Sequence, residues 1–357
     1  TKSNIASHNQ DKLGDISKGF DEAEFVAEYE VNTATVHQGY IEPHNGTASW
    51  SLDGNLTIWT STQGSFTARG QLGAVLDVPV QKVKVVPQEI GGGFGGKIPI
   101  YLEPVAALLS RKTGHPVKII MTRADCFEGT GPTPGSYVRV KMGADKNGKL
   151  TAAEAYIAFE AGGFPGSPVF AAAMCVFSCY DIPNCLVDSF DVVTNKPRSF
   201  AYRAPGSTHV AFATEKVMDD LAAQLAKDPV EFRLQNIAVE GTRRSDGVVY
   251  PRIGAKECLE VVRDHVHYKS PLQGPNRGRG VALGYWFNIG FKSAVTATVN
   301  NDGSINLVEG STDIGGSRTS ISMQFAETLG IRAEDINPQV VDTNSIGFTD
   351  VTGGSRV

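Results

Sequence analysis

The chain has 357 residues, 39 of them glycine, and its 33 Lys and Arg against 38 Asp and Glu give a formal net charge of -5. That length favours two domains with sizeable cores, and the charge leaves no basic footprint for nucleic acid. No run of about 18 apolar residues exists, so no membrane span is expected.

The first residues, from Thr1, contain no signal-peptide hydrophobic region. Cys126, Cys175, Cys179, Cys185 and Cys258 are odd in number and match neither zinc nor iron-sulfur spacing. They predict buried free thiols in a reducing compartment, the cytoplasm.

In chain order, residues 1–20 are polar without a clear period and read as a linker from a preceding domain. Alternation from Phe25 to Val31 predicts a strand, and Ser49 to Ser61 a hairpin across Asp53-Gly54. Gln63 follows that hairpin. An extended run, Val83 to Ile90, leads into Gly91-Gly92-Gly93-Phe94-Gly95-Gly96-Lys97. Five glycines in six positions give no side chains to bury, so the main chain there must approach something closely.

Two spacings in this loop carry nucleotide readings. Gly91-x-x-x-x-Gly96-Lys97 has P-loop spacing, but Ile98 stands where a magnesium-binding hydroxyl belongs. Gly91-x-Gly93-x-x-Gly96 fits a dinucleotide fingerprint, which leaves an NAD-binding Rossmann-type dehydrogenase domain as an alternative. The next helix, however, is expected only from Glu103, with Pro104 in its first turn and Gly114 as its cap.

Beyond it the pattern predicts a strand at 117–121, a hairpin of 137–142 and 150–159 turning at Asp145 to Gly148, and a strand at 187–194. Helices are expected from Ser207 or Thr208 to Ala226, from Pro229 to Asn236 and over 255–266. The polar run 269–279 marks a domain boundary. Strands at 281–287, 294–299 and 305–308 follow, then a loop from Gly310 to Ser317 that opens a helix ended by Gly330. A loop at a helix N-terminus suits an anionic group.

Several of these segments resemble, in order, the molybdenum-cofactor subunit of the xanthine dehydrogenase and aldehyde oxidase (molybdenum hydroxylase) family. They are Ser61-Thr62-Gln63, the 91–97 loop, Ala201-Tyr202-Arg203-Ala204-Pro205-Gly206, Glu231 to Asn236, Asp313 to Ser317, and Gly353-Gly354-Ser355-Arg356. The resemblance implies an α+β fold of two mixed α/β layered molybdopterin-binding domains, the first at 21–268 and the second, truncated, at 280–357. The implied cofactor is molybdenum-molybdopterin, in the cytosine dinucleotide form, with iron-sulfur and FAD centres on other subunits or domains.

By that resemblance Gln63 and the amides around Phe94 and Gly95, within Gly92 to Gly96, contact the molybdenum oxygens. Arg203 steadies substrate oxygen, and Gly315, Gly316 and Ser317 hold pterin or phosphate. Ile98 and Phe287 fall in the expected substrate lining. Molybdenum is held by the pterin rather than by side chains. The implied partners are a small-molecule substrate, iron-sulfur and flavin subunits, and the remaining molybdopterin-binding portion.

The chain departs from the family pattern at several positions. Ile98 replaces the glutamate of purine hydroxylases, Ala204 stands where the carbon monoxide dehydrogenase branch has cysteine, and Gly316 replaces a glutamine. The catalytic glutamate is expected beyond residue 357, so this portion alone is expected to be inactive, with a non-catalytic cofactor-binding or assembly fragment as the alternative.

Overall fold

A computed structural model describes residues 3–357. Its strands run in chain order as β1 (Ile5–Leu13), β2 (Phe25–Thr33), β3 (Asn45–Trp50), β4 (Leu56–Thr60), β5 (Val83–Pro87), β6 (Val117–Ile120), β7 (Ser136–Ala144), β8 (Leu150–Gly162), β9 (Cys185–Val193), β10 (Val295–Val299), β11 (Ile305–Glu309) and β12 (Ile336–Val340). Helices accompany mixed sheets, as an α+β chain requires. Two compact units form: 1–36 with 133–286, and 37–132 with 287–357.

The first unit is built on a sheet of order β1-β9-β8-β7-β2. Helix Ser207–Gln224 lies over β2 and β7, burying Val210, Ala213, Val217 and Leu221. Asp228 caps the following helix, Pro229–Asn236, by accepting from the amides of Val230 and Glu231. Two expectations fail in this unit. Residues 5–13, expected within a linker, pair antiparallel with β9, because an edge strand needs only a partner ladder and not an apolar period. Residues 281–287 form no strand; the Leu283 amide is instead bonded to the Glu215 carboxylate at 2.8 Å.

The second unit contains two β-α-β crossovers. Strands β4 and β5 pair in parallel, joined through helix Ser65–Leu76, in a sheet of order β5-β4-β3-β6. Strands β11 and β12 also pair in parallel, joined through helix Ser317–Leu329, with β10 completing that sheet. Leu56, Ile58, Ala68, Leu72, Val83 and Val85 form the core under the first crossover; Ile305, Leu307, Ala326 and Ile336 form the second. Helix Glu103–Thr113 has Pro104 in its first turn and ends at Gly114 in the left-handed region, φ 72°, as the sequence predicts.

The polar run 269–279 separates two stretches of sequence, while the compact units interleave. Residues 37–132 fold with 287–357 because β5 and its exit loop are bonded to the later segment. Thr343 receives the Val85 amide on its side chain at 3.1 Å, and the Ile90 amide donates to the Asp313 carbonyl at 3.2 Å.

Candidate functional site

In parallel β-α-β units, ligands bind outside the carboxyl ends of the strands. The second unit places four of the singled-out segments there. Gln63 leaves β4, the 91–97 loop leaves β5, the 310–317 loop leaves β11, and Thr352 lies in the closing segment.

Gln63 ties these segments together. Its buried Oε1 accepts from the Gly95 amide at 2.8 Å and the Lys97 amide at 3.2 Å. Its Nε2 donates to the Thr352 carbonyl at 3.1 Å, and its own carbonyl accepts from the Thr352 amide at 2.7 Å. Two donors on one side and a carbonyl on the other fix the orientation of the amide. The Gly95 amide, expected to face the metal, is therefore bonded to Gln63, leaving one Nε2 proton of Gln63 for a further acceptor.

The glycines also have a role beneath the loop. A Cβ at Gly93 would lie 2.6 Å from Gln63 Oε1, one at Gly91 would lie 2.5 Å from Glu42 Cβ, and one at Gly96 would lie 2.8 Å from Tyr40 Cε1. Close approach is required, and here the close neighbours are the chain's own side chains. Phe94 sits at the tip in the left-handed region, φ 53°, and the residue is 42% exposed.

Sequence reasoning did not single out Glu42. Its Oε2 accepts from the Gly91 amide at 2.8 Å and from Lys97 Nζ at 2.7 Å, so one carboxylate grips both ends of the glycine loop. Its Oε1 accepts from Asn45 at 2.9 Å, and its amide donates to the Gly91 carbonyl. Burial pushes its pKa up, but the bonds from Lys97, Gly91 and Asn45 outweigh burial and hold it below the usual carboxylate range. The Lys97 side chain is wholly buried, 5.0 Å from the centre of the Tyr40 ring.

Under the loop, Tyr40 OH lies 2.7 Å from His44 Nε2. Burial, with Lys97 and His37, drives His44 down to about 3, so its imidazole is neutral at pH 7.

This geometry removes both nucleotide readings. A P-loop lysine must reach phosphate, whereas Lys97 Nζ is held on Glu42. A dinucleotide loop must open a helix, whereas the next helix starts at Glu103.

At the 310–317 loop the expected donors are partly engaged within the chain. Asp313 Oδ1 accepts from the amides of Gly316 at 2.9 Å and Ser317 at 2.8 Å, and Oδ2 accepts from Arg318 Nε at 2.7 Å. The helix that follows is thus capped by a carboxylate of the chain itself. Gly315 and Gly316 are exposed, and no atom lies within 4 Å of where their Cβ atoms would stand.

Ile98 and Phe287 are half-buried members of the same unit. Arg203 belongs to the first unit, where it is exposed and, like Ala204, left-handed, with φ 21° and 54°. Non-glycine residues in that region cluster at functional sites.

A molybdenum pterin fits the second unit on two observations: the bare, open backbone at Gly315-Gly316 and the remaining Gln63 proton. Among the described residues no three His, Cys, Asp or Glu side chains cluster as a metal site. No helix among them is long and apolar enough to cross a membrane.

Family profiles for the molybdopterin cofactor-binding domain match residues 1–237 and, for a second such domain, 261–357. The chain is 31% identical over 367 residues to a xanthine dehydrogenase molybdenum-binding subunit of Escherichia coli O157:H7, covering 98% of this chain and 48% of that protein. It is 31% identical over 349 residues to an aldehyde oxidoreductase molybdenum-binding subunit of the same organism, covering 93% and 46%. Quinoline 2-oxidoreductase from Pseudomonas putida 86 shares the fold, with a TM-score of 0.91 at 21% identity, over 100% of this chain and 49% of that one. The chain therefore spans about half the length of the relatives it matches. Matched along both segments, it belongs to the molybdopterin cofactor-binding domain family of the molybdenum hydroxylases.

Proposed function

We propose that the chain is the molybdopterin-binding portion of a molybdenum hydroxylase. That enzyme would oxidise an aldehyde or an N-heterocycle with oxygen from water and pass the electrons to iron-sulfur and flavin partners. The observation that carries the reading is the Gln63 bridge, which joins the glycine loop to Thr352 at the carboxyl ends of two adjacent parallel strands. When bound, the molybdenum pterin supplies the redox chemistry; the protein supplies orientation and hydrogen bonds.

In this reading Gln63 offers its remaining proton to an oxygen of the cofactor. The Gly92 to Gly96 loop forms one wall and the open backbone of Gly315-Gly316 another, with Ser317 beside it. Because Asp313 already holds the Gly316 and Ser317 amides, an anionic group of the pterin must share or replace that carboxylate. The cytosine dinucleotide form is the proposed cofactor. Ile98 and Phe287 are assigned to substrate lining. Arg203 is assigned a substrate oxygen, for which its fork of donors is suited. The catalytic glutamate is assigned to the remaining portion of the polypeptide.

The test uses the full-length protein produced with its partner subunits. Metal analysis is expected to find molybdenum, the released pterin to carry a cytosine nucleotide, and a panel of aldehydes and N-heterocycles to reduce an acceptor dye. Protein purified free of molybdenum from molybdenum-replete cells, with no substrate turned over, would overturn the assignment.

A further inference from the structure

Glu309 ends β11, one residue before the 310–317 loop. It is 1% exposed, and neither of its carboxylate oxygens receives a hydrogen bond. An ionised carboxylate left in that state costs several kcal/mol, so the group must hold a proton or find a donor.

The charged groups facing it come from three places. Asp313, on the adjoining loop, disfavours the charged form. Arg318, from the following helix, and Arg356, from the closing segment, favour it. Both arginines are engaged elsewhere: Arg318 on Asp313 and Glu89, and Arg356 on Ser311 Oγ at 3.0 Å, the Asp350 carbonyl at 2.9 Å and the Ser293 hydroxyl at 2.5 Å. The register neighbours of Glu309 on β10 and β12 are Val295 and Val340, which carry no charge. The Ser311 hydroxyl favours ionisation but makes no bond of good geometry to either oxygen.

We propose that Glu309 is a positioning residue that works in its neutral form: uncharged, it leaves Arg356 on the closing segment and so keeps Thr352 on Gln63. Ionised, it would attract Arg356, whose charge favours that form, and draw it from Ser311 and from the Asp350 and Val351 carbonyls. Thr352 follows directly on that stretch and holds both the amide and the carbonyl of Gln63, besides bonding to Thr312 at 2.9 Å. Burial, then Asp313, raises the Glu309 pKa to about 7, against the two arginines, which places the change within the physiological range.

Only the consequence for the cofactor rests on the function proposed above; the protonation and its effect on the loop can be read without cofactor. The experiment is hydrogen-deuterium exchange on the full-length protein, following the amides of 350–356 and 310–317 after correction for intrinsic exchange. In the wild type, protection is expected to fall up to about tenfold per pH unit between pH 5 and 7, because the opened segment releases a solvated, ionised glutamate, and to stay low above 7, where the ionised side chain holds Arg356 off the segment. Glu309→Gln, permanently neutral, is expected to be flat across the same range. An equal slope in the variant, or a flat wild type, would overturn the proposal. Should the variant not fold, infrared difference spectra of the wild type decide. A protonated carboxyl band titrating near pH 7 supports the proposal, and its absence at pH 6 refutes it. Molybdenum content of the same samples tests the functional reading separately.

Discussion

Two glutamates are buried to a similar degree, one in each unit, and their surroundings are opposite. Glu215, 6% exposed in the first unit, accepts from Tyr180 OH at 2.6 Å, Arg233 Nε at 2.9 Å and the Leu283 amide at 2.8 Å. Arg233, with no exposed side-chain surface, adds bonds to the Glu215 and Pro229 carbonyls and a contact to Asp219 at 2.9 Å. Glu309, 1% exposed in the second unit, has no hydrogen-bond partner. A fully satisfied buried network fixes structure, and the Glu215 cluster does so by fastening residue 283, after the linker, to helix Ser207–Gln224. An unsatisfied one of equal burial is not explained by stability, and this one lies beside the loops gathered around Gln63.

The contrast breaks first at Glu215. Glu215→Ala leaves the buried Arg233 with only the half-exposed Asp219 as a counter-charge, with an expected loss of about 3 kcal/mol in denaturant unfolding. A loss under about 1 kcal/mol would mean that the network is not the fastening described. Glu309→Gln is expected to act with opposite sign and a pH signature. Its folded pKa is raised, so the wild type has its full contribution below the unfolded value and loses it as pH rises towards about 7. The variant is spared that loss, so relative to wild type it should gain roughly 2.5 kcal/mol between pH 5 and 8. Urea melts at the two pH values read the difference.

The two units also differ in how far the sequence exposed them. Strands and helices with alternation, capping or turn chemistry were legible: the 145–148 hairpin, the Asp228-Pro229 helix start and the Gly114 and Gly330 caps all stand where expected. Helix Ser65–Leu76 was not, because its N-cap Gly64 makes no side-chain cap and Thr67, Gly70 and Gly73 interrupt its period. β12 was also missed; its Pro338 disfavours a strand, yet β12 is an edge, where proline is tolerated. The site was legible as a set of loops in family order. Its supports were not, since Glu42 binds Gly91, 49 residues away, and Glu309 feels the charge of Arg356, 47 residues away, and no local pattern encodes such pairs.

Within the second unit, Gln63→Ala would strand the Gly95 and Lys97 amides, at about 1–3 kcal/mol for each buried group left unsatisfied. On the proposed function, loss of molybdenum from the full-length protein should accompany it, whereas Gln63→Glu should disturb the glycine loop less, since a carboxylate still accepts both amides though it loses the donor to Thr352.

The smallest effect belongs to the Glu42 to Lys97 pair, and it separates gripping the loop from merely neutralising a charge. Glu42→Gln keeps an acceptor for the Gly91 amide but loses the charge facing Lys97, while Lys97→Met fills the same buried space without a charge. If the carboxylate matters chiefly to Lys97, the double variant should recover about 1–2 kcal/mol over the sum of the single changes in a mutant cycle. If it matters chiefly to Gly91, the two losses should add, and molybdenum content should follow Glu42 alone. The low Glu42 pKa gives an independent check. Its contribution is present above the unfolded carboxylate value and lost as pH falls through the folded one. Acid unfolding should therefore begin at higher pH in the wild type than in a Glu42→Gln variant corrected for its lower stability at neutral pH.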